Sequence, residues 1–472
     1  MIRLGGVGRA HIAFAGLVLA LATACGGGGG GGPAAPSGLA YATSPGLYRV
    51  GEAIASNTPS VSGAVDTWSV QPALPTGLVL DGATGVISGT PSVESDVIHT
   101  VTATGPGGST NVQLAIDVGP ELPAVITSLP LGFEAVAVLE GGPSKIAKMA
   151  LAPDGRLFFT EVDTGHVRVL DASGSLVVAP FATVPVLNGG HLGLLGLALD
   201  PAFAVNGHVY VLANVPGDGM TTVDRTEIRR YTDVANVGTN EVVILSNLPV
   251  NTGMPSINNG GELLFDLSGD LFVSLGDVGD PANSQVGTGT SEAGKVLRII
   301  PTDPPGVPVT NPTMGDPEWC RGLRNTFGLA VHPTTGDLFG VDNGPNADDE
   351  LNYLQPGKNF EWGSAGGIPP ATVGFKMRNW VDEIVPTALA WHPGTGWGAD
   401  FADDLFLASY DDDLVYRIEL SGVAFTDIDT ESVFVTFDIT GGLNKPLDLV
   451  VNPLDGDLWI STFAGIYRIS KQ

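Results

Sequence analysis

The chain has 472 residues, of which 66 are glycine and 35 proline, and only 15% are charged; that length allows two or three domains, and the composition suits short strands joined by tight turns. Asp and Glu number 50 against 21 Lys and Arg, a formal charge of -29. So acidic a surface repels phosphate backbones and excludes nucleic acid as the expected partner, whereas carboxylates are the oxygen ligands that calcium prefers.

The N-terminus reads as an export signal. Arg3 and Arg9 give a positive start, and the apolar run from Ile12 to Ala22 is too short to span a bilayer. Leu21-Ala22-Thr23-Ala24-Cys25, followed by Gly26 to Gly32, resembles the lipobox of bacterial lipoproteins. The resemblance implies a signal over residues 1–25, acylation of Cys25 and anchoring at the cell envelope. Ala22 stands where leucine is usual, and an ordinary signal cleaved near Ala24 is the alternative. Gly26 in place of an aspartate favours the outer membrane or cell surface over the inner membrane. Residues 26–36 form a Gly/Pro/Ala-rich tether with no means of building a core. Cys320 is the only other cysteine, so the mature chain has no intramolecular disulfide to form; it reads as a buried apolar residue.

Residues 37–119 alternate apolar and polar positions between turn signals. Val97 to Ala103 and Val112 to Ile116 have the period of two that marks half-buried strands. The stretch from Leu74-Pro75-Thr76-Gly77-Leu78 to Ser88-Gly89-Thr90-Pro91 resembles the small immunoglobulin-like modules of bacterial surface proteins. That implies a β-sandwich of about seven strands acting as spacer or adhesive module. Asp66 and Asp81 are scattered and form no ligand cluster.

After a linker over 120–132, residues 133–472 repeat a strand–turn–strand unit. It is seen at Leu151 to Phe159, Leu197 to Val211, Leu264 to Val273, Val331 to Phe339, Ala390 to Leu407 and Val451 to Ile460. Six copies imply six small antiparallel sheets in a six-bladed β-propeller. No long apolar stripe of period 3.6 argues for a helical fold. The expected architecture is all-β, an immunoglobulin-like sandwich followed by the propeller. His166, His208, His332 and His392 fall at repeat positions and read as structural.

Several ordered motifs in this region resemble the glucose/sorbosone dehydrogenase family. They include Gly193-Leu194-Leu195-Gly196, Gly260-Gly261-Glu262-Leu263, Gly294-Lys295-Val296-Leu297-Arg298, Gly322-Leu323-Arg324-Asn325, Gly344-Pro345-Asn346-Ala347-Asp348-Asp349-Glu350 and Pro356 to Gly363. The resemblance implies the quinone cofactor PQQ on the propeller axis, polarised by calcium, and a histidine that deprotonates the C1 hydroxyl of a sugar. Carried over by position, it implies cofactor contacts from Arg324 and Asn325, because a guanidinium fork grips carboxylate or quinone oxygens with paired donors. The carbonyls of Gly344 and Pro345 correspond to calcium ligands, and Glu350 with the carbonyl of Phe360 resembles a second, structural calcium site. Asp277 matches the aspartate that assists the base.

The catalytic side departs from the pattern. The base position is Asn258, and an amide does not accept a proton near neutral pH. His191 stands where the family has a glutamine-like residue and is the alternative base; the competing reading is a histidine that hydrogen-bonds a neighbouring blade. The C-terminal basic pair is reduced to Lys445-Pro446-Leu447-Asp448, and a lysine of the preceding blade is replaced by Asp411 in the run Asp411-Asp412-Asp413. Two functions are therefore open. One is PQQ-linked oxidation of sugars or polyols outside the cytoplasm; the other is a calcium-stabilised protein binding a surface glycan without turnover.

Overall fold

The structure, a computed structural model, describes residues 33–141, 145–217, 223–422, 424–438, 440 and 442–472. The export signal and most of the tether lie outside the described residues. No helix among those described is long and apolar enough to cross a membrane.

The N-terminal module is built from strands. Gly46–Arg49, Gly108–Gly119, Ser95–Gly105 and Thr67–Gln71 form one sheet in that order, with the first pair parallel. Ser37–Tyr41 pairs with Pro59–Ser62, and Leu78–Leu80 with Ile87–Gly89. Every second residue of the long hairpin points inward, so Val101, Ala103, Leu114, Ile116 and Val118 are buried with Leu39, Tyr41, Leu78 and Ile87. The glycines of the Leu74–Pro91 motif have a steric reason. A Cβ on Gly77 would lie 1.9 Å from the carbonyl of Thr90, and one on Gly89 2.1 Å from that of Gly77.

The following segment is fastened to both neighbours. Arg49, buried, donates to the carbonyls of Leu129, Pro130 and Phe133 at 3.2, 3.0 and 3.0 Å. Ile126–Ser128 adds a fifth strand to a sheet of the second domain by pairing with the end of Asp427–Phe437.

That second domain is a β-propeller made, among the described residues, of six antiparallel sheets. The local cause is the repeated turn. In Ile146–Leu151 and Leu157–Glu161, Gly155 turns the chain at φ +86° and donates to the carbonyl of Ala152. At Asp266–Asp270 the aspartate side chain accepts from the backbone N–H of Ser268 and Asp270. The first strands of the sheets are Ile146–Leu151, Leu194–Leu199, Leu263–Phe265, Thr326–Val331, Pro386–Pro393 and Pro446–Val451. Each lies beside the next, and Pro446–Val451 lies beside Ile146–Leu151. Phe133–Glu140, at the start of the domain, pairs with Gly465–Lys471 at its end.

The repeat-position histidines are used in packing. His332 stacks on Phe425 and His392 on Trp397 at 4.2 and 4.3 Å between ring centroids. Cys320 is fully buried, and burial pushes its thiol well above the ordinary range.

Candidate active site

The first strands surround two hollows. Ala147, Leu195, Phe327, Thr387 and Leu447 line a cavity of about 290 Å³. Two residues further along the same strands, Met149, Leu197, Leu329, Leu389 and Leu449 line a second of about 430 Å³. Lys148 forms the partition. Its buried ammonium lies 2.5 Å from Glu262 and 3.3 Å from Asp448, both lining the second hollow, and donates at 3.2 Å to the carbonyl of Phe327, which lines the first. Burial works against the charged lysine, but the two carboxylates outweigh it and raise its pKa; desolvation raises both carboxylates, with Lys148 opposing. Three sheets are thus tied by one charge cluster and a fourth by a carbonyl.

The smaller cavity receives loop residues. His191 lines it, partly open to solvent, and its backbone N–H is anchored on the carbonyl of Ser256. Desolvation first, then the charge of Arg324, hold its imidazole below the ordinary value, which favours the proton-accepting form. Asn325 also lines the cavity, and its side-chain oxygen accepts from the N–H of Gly260 at 3.1 Å.

Asn258 and Asp277 meet directly. The Asn258 amide donates to Oδ1 of Asp277 at 2.9 Å, and both residues are buried. Asp277 is held from other sides by the N–H of Gly279 at 2.8 Å and the indole N–H of Trp362 at 2.8 Å. Asn258 adopts φ +56°, a left-handed conformation that Asn, Asp and His tolerate better than other side chains. An amide, unlike an imidazole in the same hydrogen bond, carries no atom basic enough to take a proton near pH 7.

Arg324 and Gly344 also meet. Nη1 of Arg324 donates to the carbonyls of Asn343 and Gly344 at 2.9 and 2.7 Å, and its guanidinium lies 5.7 Å from the Trp362 ring. The Gly344 loop is shaped by Asp349, which accepts from the N–H groups of Gly344, Ile384 and Val385. Of the site residues named from the sequence, His191 and Asn325 line the cavity, whereas Asn258, Asp277, Arg324, Gly344, Pro345, Glu350, Phe360 and Lys445 do not. Glu350 accepts from Lys376 at 2.5 Å and from the Asn352 amide at 3.1 Å. Its strand partner Asp342 is pushed up to about 7, by desolvation first and by the Glu350 charge second.

At the rim, Lys445 pairs with Asp411 at 3.2 Å and sits 4.6 Å from the ring centroid of Tyr410, a lining residue. Lys145, also lining, pairs with Asp163 at 3.2 Å and lies over Phe463. Sequence reasoning passed over Lys145, Tyr410, Phe463 and Trp362. Trp362 stood inside a quoted motif, but the others come from loops whose convergence no spacing encodes.

The residues fit PQQ better than they fit calcium. Phe327, Tyr410 and Phe463 give flat faces, and Arg324, Lys145 and Lys445 supply cations near a cavity at the lower end of ligand-site volumes. A flat polyanion meets both needs. Calcium requires six to eight oxygens free to face it. Here the Gly344 carbonyl and both Glu350 oxygens already face N–H donors, and the described residues contain no group of three or more His, Cys, Asp or Glu able to hold a metal.

Fold and site together define a β-propeller with a cavity among its first strands. The chain belongs to the glucose/sorbosone dehydrogenase family, whose model matches residues 144–464, and residues 31–119 match the family described as "Putative Ig domain". It is 31% identical over 248 residues to the aldose sugar dehydrogenase YliI of Escherichia coli K12, covering 50% of this chain and 63% of that protein. It is 30% identical over 243 residues to quinoprotein glucose dehydrogenase B of Acinetobacter calcoaceticus, covering 46% and 49%. A Synechocystis protein of uncharacterised function, slr1608, is 32% identical over 281 residues, covering 52% and 66%. The chain therefore spans about half to two thirds of the length of these curated relatives. Among solved structures, the PQQ-bound aldose sugar dehydrogenase of Streptomyces coelicolor superposes with a TM-score of 0.58 at 24% identity, covering 73% of this chain and 99% of that one. The fold is shared with it.

Proposed function

We propose that this chain is an exported, envelope-anchored oxidoreductase that oxidises a sugar or polyol with PQQ held in the smaller axial cavity. The six sheets are read as six blades of one closed ring, because the first strands neighbour one another all the way round and the ends of the domain pair. The observation that carries the activity is His191, an imidazole on the cavity wall whose pKa is held below the ordinary value. When bound, PQQ supplies a two-electron acceptor. Arg324, with Lys145 and Lys445, holds its negative charge, and the aromatic walls hold its plane. His191 takes the hydroxyl proton, a role that Asn258 is unable to fill. Acylation of Cys25, at the outer membrane or cell surface, places the reaction outside the cytoplasm; radiolabelled palmitate incorporated by the wild type and not by Cys25→Ser checks the anchor.

The test is dye-linked oxidation of a sugar panel after reconstitution with PQQ, beside the same assay on His191→Ala. Turnover that disappears in the variant supports the proposal. Turnover unaffected by it removes His191 from the mechanism. The Asn258–Asp277 bond favours a second reading, a surface-glycan-binding propeller without turnover; saturable glycan binding with no oxidation of any sugar would establish it.

A further inference from the structure

Two protein cations stand where a divalent ion would be useful. The Glu350 carboxylate is buried beside a second buried carboxylate, its strand partner Asp342. Two such groups side by side call for a positive charge. Lys376 supplies it. From the strand Phe375–Trp380, which pairs with Asp349–Tyr353, its ammonium reaches Oε1 of Glu350 at 2.5 Å while the Asn352 amide takes Oε2 at 3.1 Å. Both oxygens thus have hydrogens pointed at them. The Gly344 turn repeats the pattern: one guanidinium nitrogen of Arg324 collects the two successive carbonyls of Asn343 and Gly344. A dication arriving at either place would meet a fixed positive charge and oxygens already engaged.

We propose that Lys376 and Arg324 replace divalent ions in this propeller, so that its folded state and its axial cavity are organised without calcium. The substitution is economical in entropy, because each cation is tethered to the chain and recruits no solute. It also makes the protein indifferent to calcium supply. In Lys376→Met the alkyl stem keeps its packing and the ammonium is lost. Glu350 and Asp342 then lack a counter-charge, and the vacated space becomes a place where a divalent ion is favoured. A ligand present at about 100 times its Kd raises the folded-to-unfolded ratio roughly 100-fold, so such a site is visible in a melting curve.

The experiment compares thermal unfolding of the wild type and of Lys376→Met in EDTA and in millimolar calcium chloride, with calorimetric titration of calcium into the EDTA-treated wild type. The expected result is one midpoint for the wild type in both solutions and no saturable calcium heat, with a lower midpoint for Lys376→Met that calcium raises. A wild-type midpoint that falls in EDTA, or stoichiometric calcium binding by the wild type, overturns the proposal. If the variant does not fold, the wild-type titration alone decides. PQQ binding measured in EDTA separates this inference from the cofactor reading. PQQ bound only when calcium is present defeats the calcium-free organisation and leaves the cofactor standing; PQQ bound in EDTA supports both. PQQ bound in neither solution defeats the cofactor, and the calcium titration still judges Lys376 and Arg324.

Discussion

The partition at Lys148 and the wall of the smaller cavity lie along the same strands, yet they are built on different principles. The partition is made of strand residues or their immediate neighbours: Lys148, Glu262 and Asp448 are each nine-tenths buried, and every charged atom has a partner inside the protein. The wall combines strand residues with loops, and its polar groups come largely from the loops. His191 is exposed and Lys145 is half-exposed, while the side chain of Arg324, next to the lining Asn325, uses only Nη1 in hydrogen bonds. Strand positions can bury charge because the ladder fixes both partners before the side chains meet. Loop positions leave polar capacity unspent, which is what a ligand needs. The difference locates stability at the partition and chemistry at the wall.

Removing the central charge tests that division most severely. Lys148→Met leaves two buried carboxylates facing each other and should cost about 3–5 kcal/mol in urea unfolding; a loss near zero would mean the partition is incidental. Beside the cavity, Asn258→His places an imidazole against Asp277, in a left-handed conformation that histidine tolerates. Introduced into His191→Ala with PQQ and dye present, it should restore sugar oxidation by about 10²–10⁴-fold over His191→Ala alone, the usual worth of a general base, with the unfolding midpoint little changed. No recovery would mean that position 258 no longer serves the substrate. Arg324→Ala should weaken PQQ binding by roughly 10–100-fold, the scale of a charge-assisted contact, read by fluorescence titration. Because Arg324 also ties the Gly344 turn, some loss of stability accompanies the change; unaltered PQQ affinity in the folded variant would remove Arg324 from the cofactor site.

The smallest effect concerns pH. Burial, with the nearby Asp455 charge, pushes Asp457 up to about 7 from an ordinary 3.8. Between those values the folded state binds more protons than the unfolded one, so this group's contribution to stability falls as pH rises from about 4 to 7. Asp457→Asn should lack that decline; the two pH units titrated between pH 5 and pH 7 are worth roughly 2–3 kcal/mol unscreened, and solvent screening at this incompletely enclosed side chain reduces the gain of the variant in urea curves to about 1 kcal/mol by pH 8. A constant gap would show that the residue titrates normally.

Much of the scaffold was legible in the chain. The Asp-Gly turn at Gly155, the Ser-Gly turn at Gly269 and the alternating runs around them announce short antiparallel strands, since turn chemistry and a period of two are local properties. The Gly77 and Gly89 pair was visible as motif, and its reason, backbone approaching backbone, emerged only in space. The site was legible in part. Asn258 with Asp277, and Arg324 with Gly344, were paired by resemblance and touch in the structure. Glu350 was read as a calcium ligand, and nothing in its sequence neighbourhood announces Lys376, twenty-six residues away on the next strand.

The sequence by itself determined that this is an all-β chain of the glucose/sorbosone dehydrogenase family, that an immunoglobulin-like module precedes the propeller, and that the base position carries an amide. Those properties reside in spacing and in single residues. Only the tertiary structure decided what lies beside what: His191 and Asn325 on one cavity wall, Lys376 on Glu350, and Lys148 between carboxylates contributed by residues 262 and 448. The physical reason is range. Turn preference and strand alternation act over a few residues, whereas charge pairing and desolvation depend on distances that exist only once the sheets have assembled.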